Sequence, residues 1–138
     1  MIQQTLAIIK PDSVRNNYAG KILSLIVDHG FSIKAIKGVH MDTRDAQRFY
    51  GIHTGKPFFD KLVDFITSGP CIAMILEKEN AVDDFRKLMG ATDPNEAEGG
   101  TIRSLFAENK TANAIHGSDS SDNAFIECNF FFSIQERF

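Results

Sequence analysis

Short apolar runs separate longer stretches of helical periodicity along the chain, and the two patterns predict different elements. Residues 5–9 (Thr-Leu-Ala-Ile-Ile) and 71–76 (Cys-Ile-Ala-Met-Ile-Leu) are continuous apolar runs, which are typical of buried strands. Pro11 ends the first run, because proline cannot donate to a strand ladder. Phe31, Ile33 and Ala35 alternate with polar residues and predict a strand with one buried face.

Helical spacing accounts for most of the other apolar residues. Ile22, Leu25 and Ile26 recur at helical intervals within residues 20–29, and Gly30 is placed to end that helix in a left-handed conformation. Further helices are predicted after Asp42-Thr43, from Pro57 to Ile66, from an Asn80 cap to Gly90, over residues 101–107, and after residues 119–121 as far as Phe132. Residues 113–118 predict a short strand or an extended turn.

The order of these elements indicates the fold class. Residues 91–100 show no periodicity and predict a long exposed loop, so the order is β-α-β-α-α-β-α-loop-β-α. Periodicity alone allows either a parallel doubly wound sheet or a split βαβ sheet. We favour an α+β fold in one domain of residues 1–138: a ferredoxin-like βαββαβ sandwich, whose four-stranded antiparallel sheet is covered by helices and carries an inserted helical hairpin at 42–68.

Composition narrows the class of protein. The 138 residues are 43% hydrophobic and 24% charged, with a net charge of −3, which argues against a general nucleic-acid binder. Cys71 and Cys128 have no spacing that suggests a zinc site or a disulfide framework. The N-terminal sequence lacks the basic start of a signal peptide, and no apolar run approaches the roughly 18 residues of a membrane helix. We therefore expect a cytoplasmic protein without a membrane segment.

His116 is the strongest candidate for chemistry. The P-loop, the dinucleotide fingerprint and the HExxH motif are all absent, and the other histidines are scattered. Small and polar residues surround His116, where Ser118 and nearby carboxylates could fix the tautomer of the imidazole and leave one nitrogen free as a nucleophile toward phosphorus. A histidine that only hydrogen-bonds within a turn fits the same local sequence.

Cations at element boundaries suggest a phosphate site. Lys10, Arg86 and Arg103 lie at such boundaries or beside the long loop, and Thr92 and Asn113 add short hydrogen-bonding side chains. Phosphoryl transfer depends on positive charge and donors directed at the migrating oxygens. Each cation taken alone fits a solvated surface charge better than a phosphate ligand, and only their coincidence with Thr92 and Asn113 favours the phosphate site.

Residues 113–120, Asn-Ala-Ile-His-Gly-Ser-Asp-Ser, resemble the active-site signature of the nucleoside diphosphate kinases, and the short C-terminus is similar to that of bacterial members. The similarity continues, in family order, through Thr5-Leu-Ala-Ile-Ile-Lys-Pro-Asp12, Phe49-Tyr50, Pro57-Phe58-Phe59, Ser68-Gly-Pro70, Leu88-Met-Gly-Ala-Thr92 and Gly100-Thr-Ile-Arg103. These blocks span nearly the whole chain, which makes the resemblance specific.

The resemblance implies a ping-pong enzyme that moves the γ-phosphoryl group from a nucleoside triphosphate, mainly ATP, to a nucleoside diphosphate. His116 would attack through Nδ1 and hold the group as phosphohistidine, while Glu127 orients the ring through its other nitrogen and Ser118 supports that arrangement. The resemblance also implies contacts with the nucleotide: Lys10 and nearby Tyr50 at the transferring phosphate, Arg86, Thr92 and Arg103 at the phosphates, and Asn113 and Lys10 at the ribose.

Two further expectations follow from the resemblance. Phe58 would stack on the base, which gives broad specificity because every base has a π-face, although a core aromatic fits the same helix pattern. Mg²⁺ would arrive on the nucleotide phosphates, with no ligand from protein side chains. Family members are mostly hexamers and some are tetramers; Pro94 lies in the loop that packs subunits in the hexamers, so we favour a hexamer.

One alternative comes from a different class of protein. A non-catalytic nucleotide-sensing module on the same ferredoxin-like scaffold would also bind phosphates through Lys10, Arg86 and Arg103. Such a module has no need for both His116 and Glu127, and the enzyme is therefore the favoured hypothesis.

Overall fold

The computed structural model describes residues 1–138 and contains four strands and seven α-helices. The strands are Ile2–Ile9 (β1), Ser32–Val39 (β2), Cys71–Glu79 (β3) and Ile115–Gly117 (β4). The helices are Pro11–Arg15 (α1), Ala19–Asp28 (α2), Thr43–Phe49 (α3), Phe59–Ile66 (α4), Ala81–Met89 (α5), Ile102–Phe106 (α6) and Ser121–Phe131 (α7). Two short 3-10 helices, Gly51–His53 and Ile134–Glu136, complete the set.

The strands form one sheet in the order β2-β3-β1-β4, with every neighbouring pair antiparallel. Helix α2 connects β1 to β2, α5 begins the connection from β3 to β4, and the α3–α4 hairpin lies between β2 and β3. This arrangement confirms the ferredoxin-like α+β prediction with an inserted hairpin. The antiparallel pairing excludes the doubly wound parallel sheet.

Both faces of the sheet are buried, which explains why the central strands are apolar without alternation. In β1, Leu6 and Ile8 face a core formed with α3, α4 and α7, whereas Ala7 and Ile9 face a second core formed with α2, α5 and α6. All four side chains are fully buried. Removing apolar surface from water on both faces is the main stabilising contribution, and it fixes the central strand between two helical layers.

Three local features differ from the sequence-based expectations. Lys10-Pro11-Asp12 does end β1, but Pro11 also begins a short helix, since its fixed φ suits the first helical position. Helix α4 begins at Phe59, after a turn that contains Pro57. Asn80 precedes α5 in a left-handed conformation with φ of 54°, and its side chain makes no cap hydrogen bond.

Other expectations hold closely. Asp42 caps α3 by accepting from the backbone N–H of Asp45, and Ser120 caps α7 by accepting from that of Asn123. Cys71 is buried, as its apolar setting indicated, and Cys128 is buried as well; both are free cysteines. None of the helices combines the length and apolar character that crossing a membrane would require.

Candidate active site

His116 lies in β4, the short edge strand, opposite Ile8 of β1. The next residue is glycine, and a Cβ at Gly117 would come within 2.7 Å of Phe85 Cδ2 and 2.8 Å of Met89 Cε. Because a side chain at position 117 would clash with α5, β4 can pack this closely only with glycine there. The backbone that carries His116 is therefore held firmly against the core.

A chain of hydrogen bonds orients the His116 ring. Its Nε2 lies 3.0 Å from Glu127 Oε1, and Ser118 Oγ donates to the same oxygen at 2.7 Å. The hydroxyl of Ser118 in turn accepts from the backbone N–H of Leu6 at 3.2 Å. A carboxylate can only accept, so this geometry favours the tautomer with the proton on Nε2 and a free lone pair on Nδ1.

The ring is reachable from solvent. The His116 side chain is 20% exposed and borders a cleft of about 290 Å³. Six of the residues singled out from the sequence line this cleft: Lys10, Tyr50, Arg86, Thr92, His116 and Glu127. It follows that parts of the chain far apart in sequence meet around one imidazole.

The turn that leads into β4 contains an unusual backbone. Ala114 has a φ of 76°, and the N–H of Ile115 donates to the carbonyl of Asn113 at 2.9 Å across it. A γ-turn with positive φ is rare, and holding a non-glycine residue there costs about 1–3 kcal/mol. Strain of this kind persists only where the surrounding structure imposes it.

Lys10 and Asn113 meet at this turn. Lys10 Nζ donates to Asn113 Oδ1 at 2.8 Å, and the lysine is only 5% exposed. Burial of the ammonium, together with repulsion from Arg103, lowers the pKa of Lys10 to about 8, although the charge of Asp12 opposes that shift. The lysine is thus a partly desolvated cation at the edge of the cleft.

Arg103 lies beneath the cleft and does not line it. Its guanidinium donates to the backbone carbonyls of Asn113, Gly90 and Ile115 at 3.3, 3.0 and 2.9 Å. Burial and the nearby Arg86 lower the pKa of Arg103 to about 10. These bonds join the end of α5 to the segment before His116 and place a buried positive charge behind the site.

Arg86 and Thr92 form the opposite border. Arg86 is exposed on α5 and makes no salt bridge, and Thr92 is exposed at the start of the long loop. The pKa of Asp119, which also lines the cleft, is lowered mainly by its hydrogen bond from Asn123 and slightly by Arg86. An unpaired guanidinium and a free hydroxyl are donors suited to an anionic ligand.

Aromatic rings form the remaining wall. Burial raises the pKa of the Tyr50 phenol, with smaller contributions from Cys71 and Glu127, so this hydroxyl stays protonated. Phe49 packs edge-on against His116, with ring centroids 5.3 Å apart. Phe58 is 44% exposed and does not line the cleft itself, but its ring contacts that of the cleft residue His53, with the centroids 5.2 Å apart.

Several cleft residues were not singled out by the sequence reasoning. Phe49, His53, Asp119 and Asn123 border the cleft; Phe49 and Asp119 were quoted only within the motifs that carry the resemblance. A signal existed for Asp119 and Asn123, because they lie in the segment that starts α7 immediately after His116. No local pattern placed Phe49 or His53 at the cleft, since their positions depend on how the α3–α4 hairpin folds over the sheet.

The acidic side chains near the cleft are not arranged as a metal cage. No group of three or more His, Cys, Asp or Glu side chains in the chain could hold an ion. Glu127 is already engaged by His116 and Ser118. Lys10 and Arg86 border the cleft as cations, and the buried charge of Arg103 lies behind it, which suits a ligand that brings its own negative charge.

Comparisons with known proteins agree on one family. The family model for nucleoside diphosphate kinase matches residues 3–137. Among curated proteins, the nucleoside diphosphate kinase of Prosthecochloris aestuarii is 53% identical over 135 residues, covering 98% of this chain and 96% of that protein. That of Campylobacter curvus is also 53% identical, covering 98% of each chain.

Solved structures give the same result. The Aquifex aeolicus nucleoside diphosphate kinase superposes with a TM-score of 0.98 at 40% identity and covers both chains fully. The halophilic nucleoside diphosphate kinase of Halobacterium salinarum, solved in complex with CDP, gives a TM-score of 0.95 at 38% identity, covering 100% of this chain and 92% of that one.

Proposed function

The chain belongs to the nucleoside diphosphate kinase family, and from this premise we propose that His116 is the residue that carries the phosphoryl group between nucleotides. The chain is an enzyme, a phosphotransferase that acts on nucleoside triphosphates and diphosphates. The observation that carries the proposal is the contact of Glu127 with Nε2 of His116, which leaves Nδ1 as the available nucleophile beside a cleft that Lys10 and Arg86 border.

In the first half-reaction, Nδ1 of His116 attacks the γ-phosphorus of the triphosphate. The N–P bond forms as the bond to the β–γ bridging oxygen breaks, and the diphosphate leaves with that electron pair. The ring becomes positively charged, and the Glu127 carboxylate at 3.0 Å from Nε2 stabilises it. Ser118, by donating to Glu127, keeps that carboxylate in place.

In the second half-reaction, a terminal oxygen of the incoming diphosphate attacks the phosphorus on Nδ1. The N–P bond breaks, its electron pair returns to Nδ1, and His116 recovers its starting tautomer. The proton on Nε2 stays with the Glu127 hydrogen bond throughout. One histidine can therefore serve donor and acceptor alternately at a single site, which is a ping-pong exchange.

The cations would stabilise the charge on the migrating oxygens. We assign Lys10 and Arg86 to the phosphates, with the phenolic O–H of Tyr50 as a donor near the transferred group and Thr92 at the phosphates of the bound nucleotide. Arg103 uses three of its N–H groups on backbone carbonyls. Because Arg103 does not line the cleft, we assign its contribution to the phosphates to its positive charge behind the site.

Asn113 and Phe58 are assigned to the nucleoside. Asn113, already bonded to Lys10, is placed to meet the ribose together with that lysine. Phe58 offers an exposed ring face for stacking, and stacking does not read the hydrogen-bonding edge of a base. The family's Halobacterium salinarum structure contains CDP, which fits a site that accepts pyrimidines as well as ATP.

Mg²⁺ would enter the site on the nucleotide phosphates, where it neutralises negative charge during transfer. The residues present fit a metal held in that way, because the cleft border supplies cations and no cage of carboxylates. Each protein group then acts on the nucleotide directly. A nucleotide-sensing module without catalysis is not favoured, since the family match covers nearly the whole chain.

The proposal is tested by brief exposure to ATP followed by mass analysis of the modified residue. We expect an acid-labile, base-stable phosphate on His116. The variant His116→Gln should fold and bind nucleotide but should transfer no phosphoryl group, because the covalent carrier is gone. Near-normal exchange by that variant, or acid-stable phosphate on Ser118 or Ser120 alone, would contradict the assignment.

We further propose that residues 1–138 act as one domain within an assembly of identical chains, with a hexamer favoured over a tetramer. Strand β2 is an edge of the sheet, and its exposed residue Ile36 supports contact with a second copy. The native mass distinguishes four subunits from six. The cytoplasmic location stays a prediction.

A further inference from the structure

The peptide units around Ala114 are held by the segment that follows β1. The backbone N–H of Lys10 donates to the Ala114 carbonyl at 2.9 Å. The N–H of Ala114 donates to Asp12 Oδ2 at 3.1 Å. Asp12 is 4% exposed and Ala114 is fully buried, so water cannot replace either bond.

These two hydrogen bonds, which we call the clamp on Ala114, hold a backbone conformation that alanine disfavours. The φ of 76° at Ala114 lies in the left-handed region, where a Cβ crowds the adjacent carbonyl. If the turn relaxed to negative φ, the peptides on either side would rotate. Asn113, whose Oδ1 accepts from Lys10, and Ile115, which precedes His116, would both move.

We propose that Asp12 is a positioning residue for phosphoryl transfer: its carboxylate holds Ala114 in the strained turn and so sets Asn113 and His116 for reaction. Asp12 does not line the cleft and touches no reacting atom. The inference rests on the proposed role of His116 as phosphate carrier, and it extends that role to the turn in front of β4.

The surroundings of Asp12 agree with a dedicated bond to the turn. Its second oxygen, Oδ1, is buried without a hydrogen-bond partner, and burial raises the pKa of this carboxyl although nearby backbone N–H groups and the charge of Lys10 oppose that shift. Asp12 also lies in the first turn of α1, where a negative charge stabilises a helix. If Asp12 only stabilised helix α1, replacing it would not change the conformation of the turn at Ala114.

A double-mutant cycle between positions 12 and 114 separates these roles. Losing a buried hydrogen bond to a charged acceptor should lower the kcat of Asp12→Ala about tenfold or more. Glycine adopts positive φ without strain, so in the Ala114→Gly background the same change at position 12 should lower kcat by less than about threefold. Asp12→Asn keeps an oxygen acceptor and should retain most of the activity of the unmodified enzyme.

Thermal midpoints recorded for every variant show which ones are folded. Ser13→Ala is the matched control, because its hydroxyl is buried without a partner next to Asp12, and its kcat should not change. Equal losses from Asp12→Ala in both backgrounds would overturn the inference, as would an Asp12→Asn variant as defective as Asp12→Ala. Activity of His116→Gln in the same assay would instead refute the proposed function, so the two failures are distinguishable.

Discussion

The two sides of the cleft are built in different ways. On one side, His116 sits in a strand of the sheet, and its ring is linked through Glu127 and Ser118 to the backbone of Leu6. On the other side, Thr92 is exposed in a loop, and Phe58 is exposed at the end of a turn, beside the cleft residue His53. The first side is fixed by the core, and the second by short stretches of surface chain.

This difference matches the two tasks that the site performs. Chemistry needs a nitrogen held within a fraction of an ångström, and that precision comes from packed strands and helices. Binding a nucleotide needs only a stacking surface and a few hydrogen-bond donors, which surface segments can supply. We therefore expect changes near His116 to lower kcat and changes near Phe58 to raise KM.

The largest effect is expected at Glu127. The variant Glu127→Ala removes the acceptor for both His116 Nε2 and Ser118 Oγ, so the ring loses its fixed tautomer. Loss of such an orienting partner should lower kcat about 100-fold while KM changes little. Steady-state exchange rates over a range of nucleotide concentrations measure both constants.

Two further variants serve as comparisons for Glu127→Ala. Ser118→Ala removes its bonds to Glu127 and to the N–H of Leu6 but keeps the bond between Glu127 and His116, so it should lower kcat less than Glu127→Ala does. Asp122→Ala changes an exposed carboxylate on the same helix, α7, and should leave kcat unchanged. A Glu127→Ala enzyme with normal kcat would show that the carboxylate does not orient the nucleophile.

The next effect concerns stability and compares two glycines. A Cβ at Gly117 would overlap Phe85 and Met89, whereas nothing lies within 4 Å of a Cβ at Gly99 in the loop. Overpacking should make Gly117→Ala less stable by about 1–3 kcal/mol. Gly99→Ala should change the free energy of unfolding by less than about 0.5 kcal/mol. Urea unfolding of both variants checks this; equal stabilities would contradict the close packing of β4.

On the His116 side of the cleft, the sequence predicted the elements but not the long-range hydrogen bonds that hold them. The sequence located the strand around His116 and the helix that bears Glu127, because their motif and cap residues are local. The hydrogen bond from Ala114 to Asp12 joins residues far apart in the chain, and the pattern of hydrophobic and polar residues does not predict such a bond. Propensity likewise gave no sign of a left-handed alanine, since only the surrounding packing can impose it.

The sequence showed that Arg103 carries a positive charge near the long loop, but it could not show whether the side chain contacts a ligand in the cleft. A cation beside a loop suggests an exposed phosphate ligand, but here the guanidinium is buried and donates to three carbonyls. Whether a cation lines a cleft or lies beneath it depends on the packing of α6 against α5. The overall fold was easier to predict because it follows from the order of elements and the apolar runs.

Phe58 tests the exposed side. Removing its ring in Phe58→Ala should raise KM about tenfold for every nucleotide, because base stacking contributes about 1–3 kcal/mol regardless of the base. Phe58→Tyr keeps the ring face and should keep KM. Phe125→Ala removes a ring that is 72% exposed on α7 and serves as the control. A loss confined to purines, or a loss of kcat alone, would contradict stacking.

The smallest effect is expected on the pH dependence of kcat/KM, through the ionisation of Lys10, which lies between the two sides of the cleft. Burial and Arg103 hold the pKa of Lys10 at about 8, below the ordinary lysine value, so the free enzyme loses this charge as pH rises through that value. Phosphate binding should weaken with the charge, and kcat/KM, which reports the free enzyme, should fall several-fold between about pH 7 and pH 9. In Lys10→Gln the value should be low and nearly constant over this range, while Lys61→Gln, an exposed change on α4, should keep the slope of the unmodified enzyme. If Lys10→Gln retained that slope, another group would be titrating, and the lysine would contribute through its hydrogen bond to Asn113 more than through its charge.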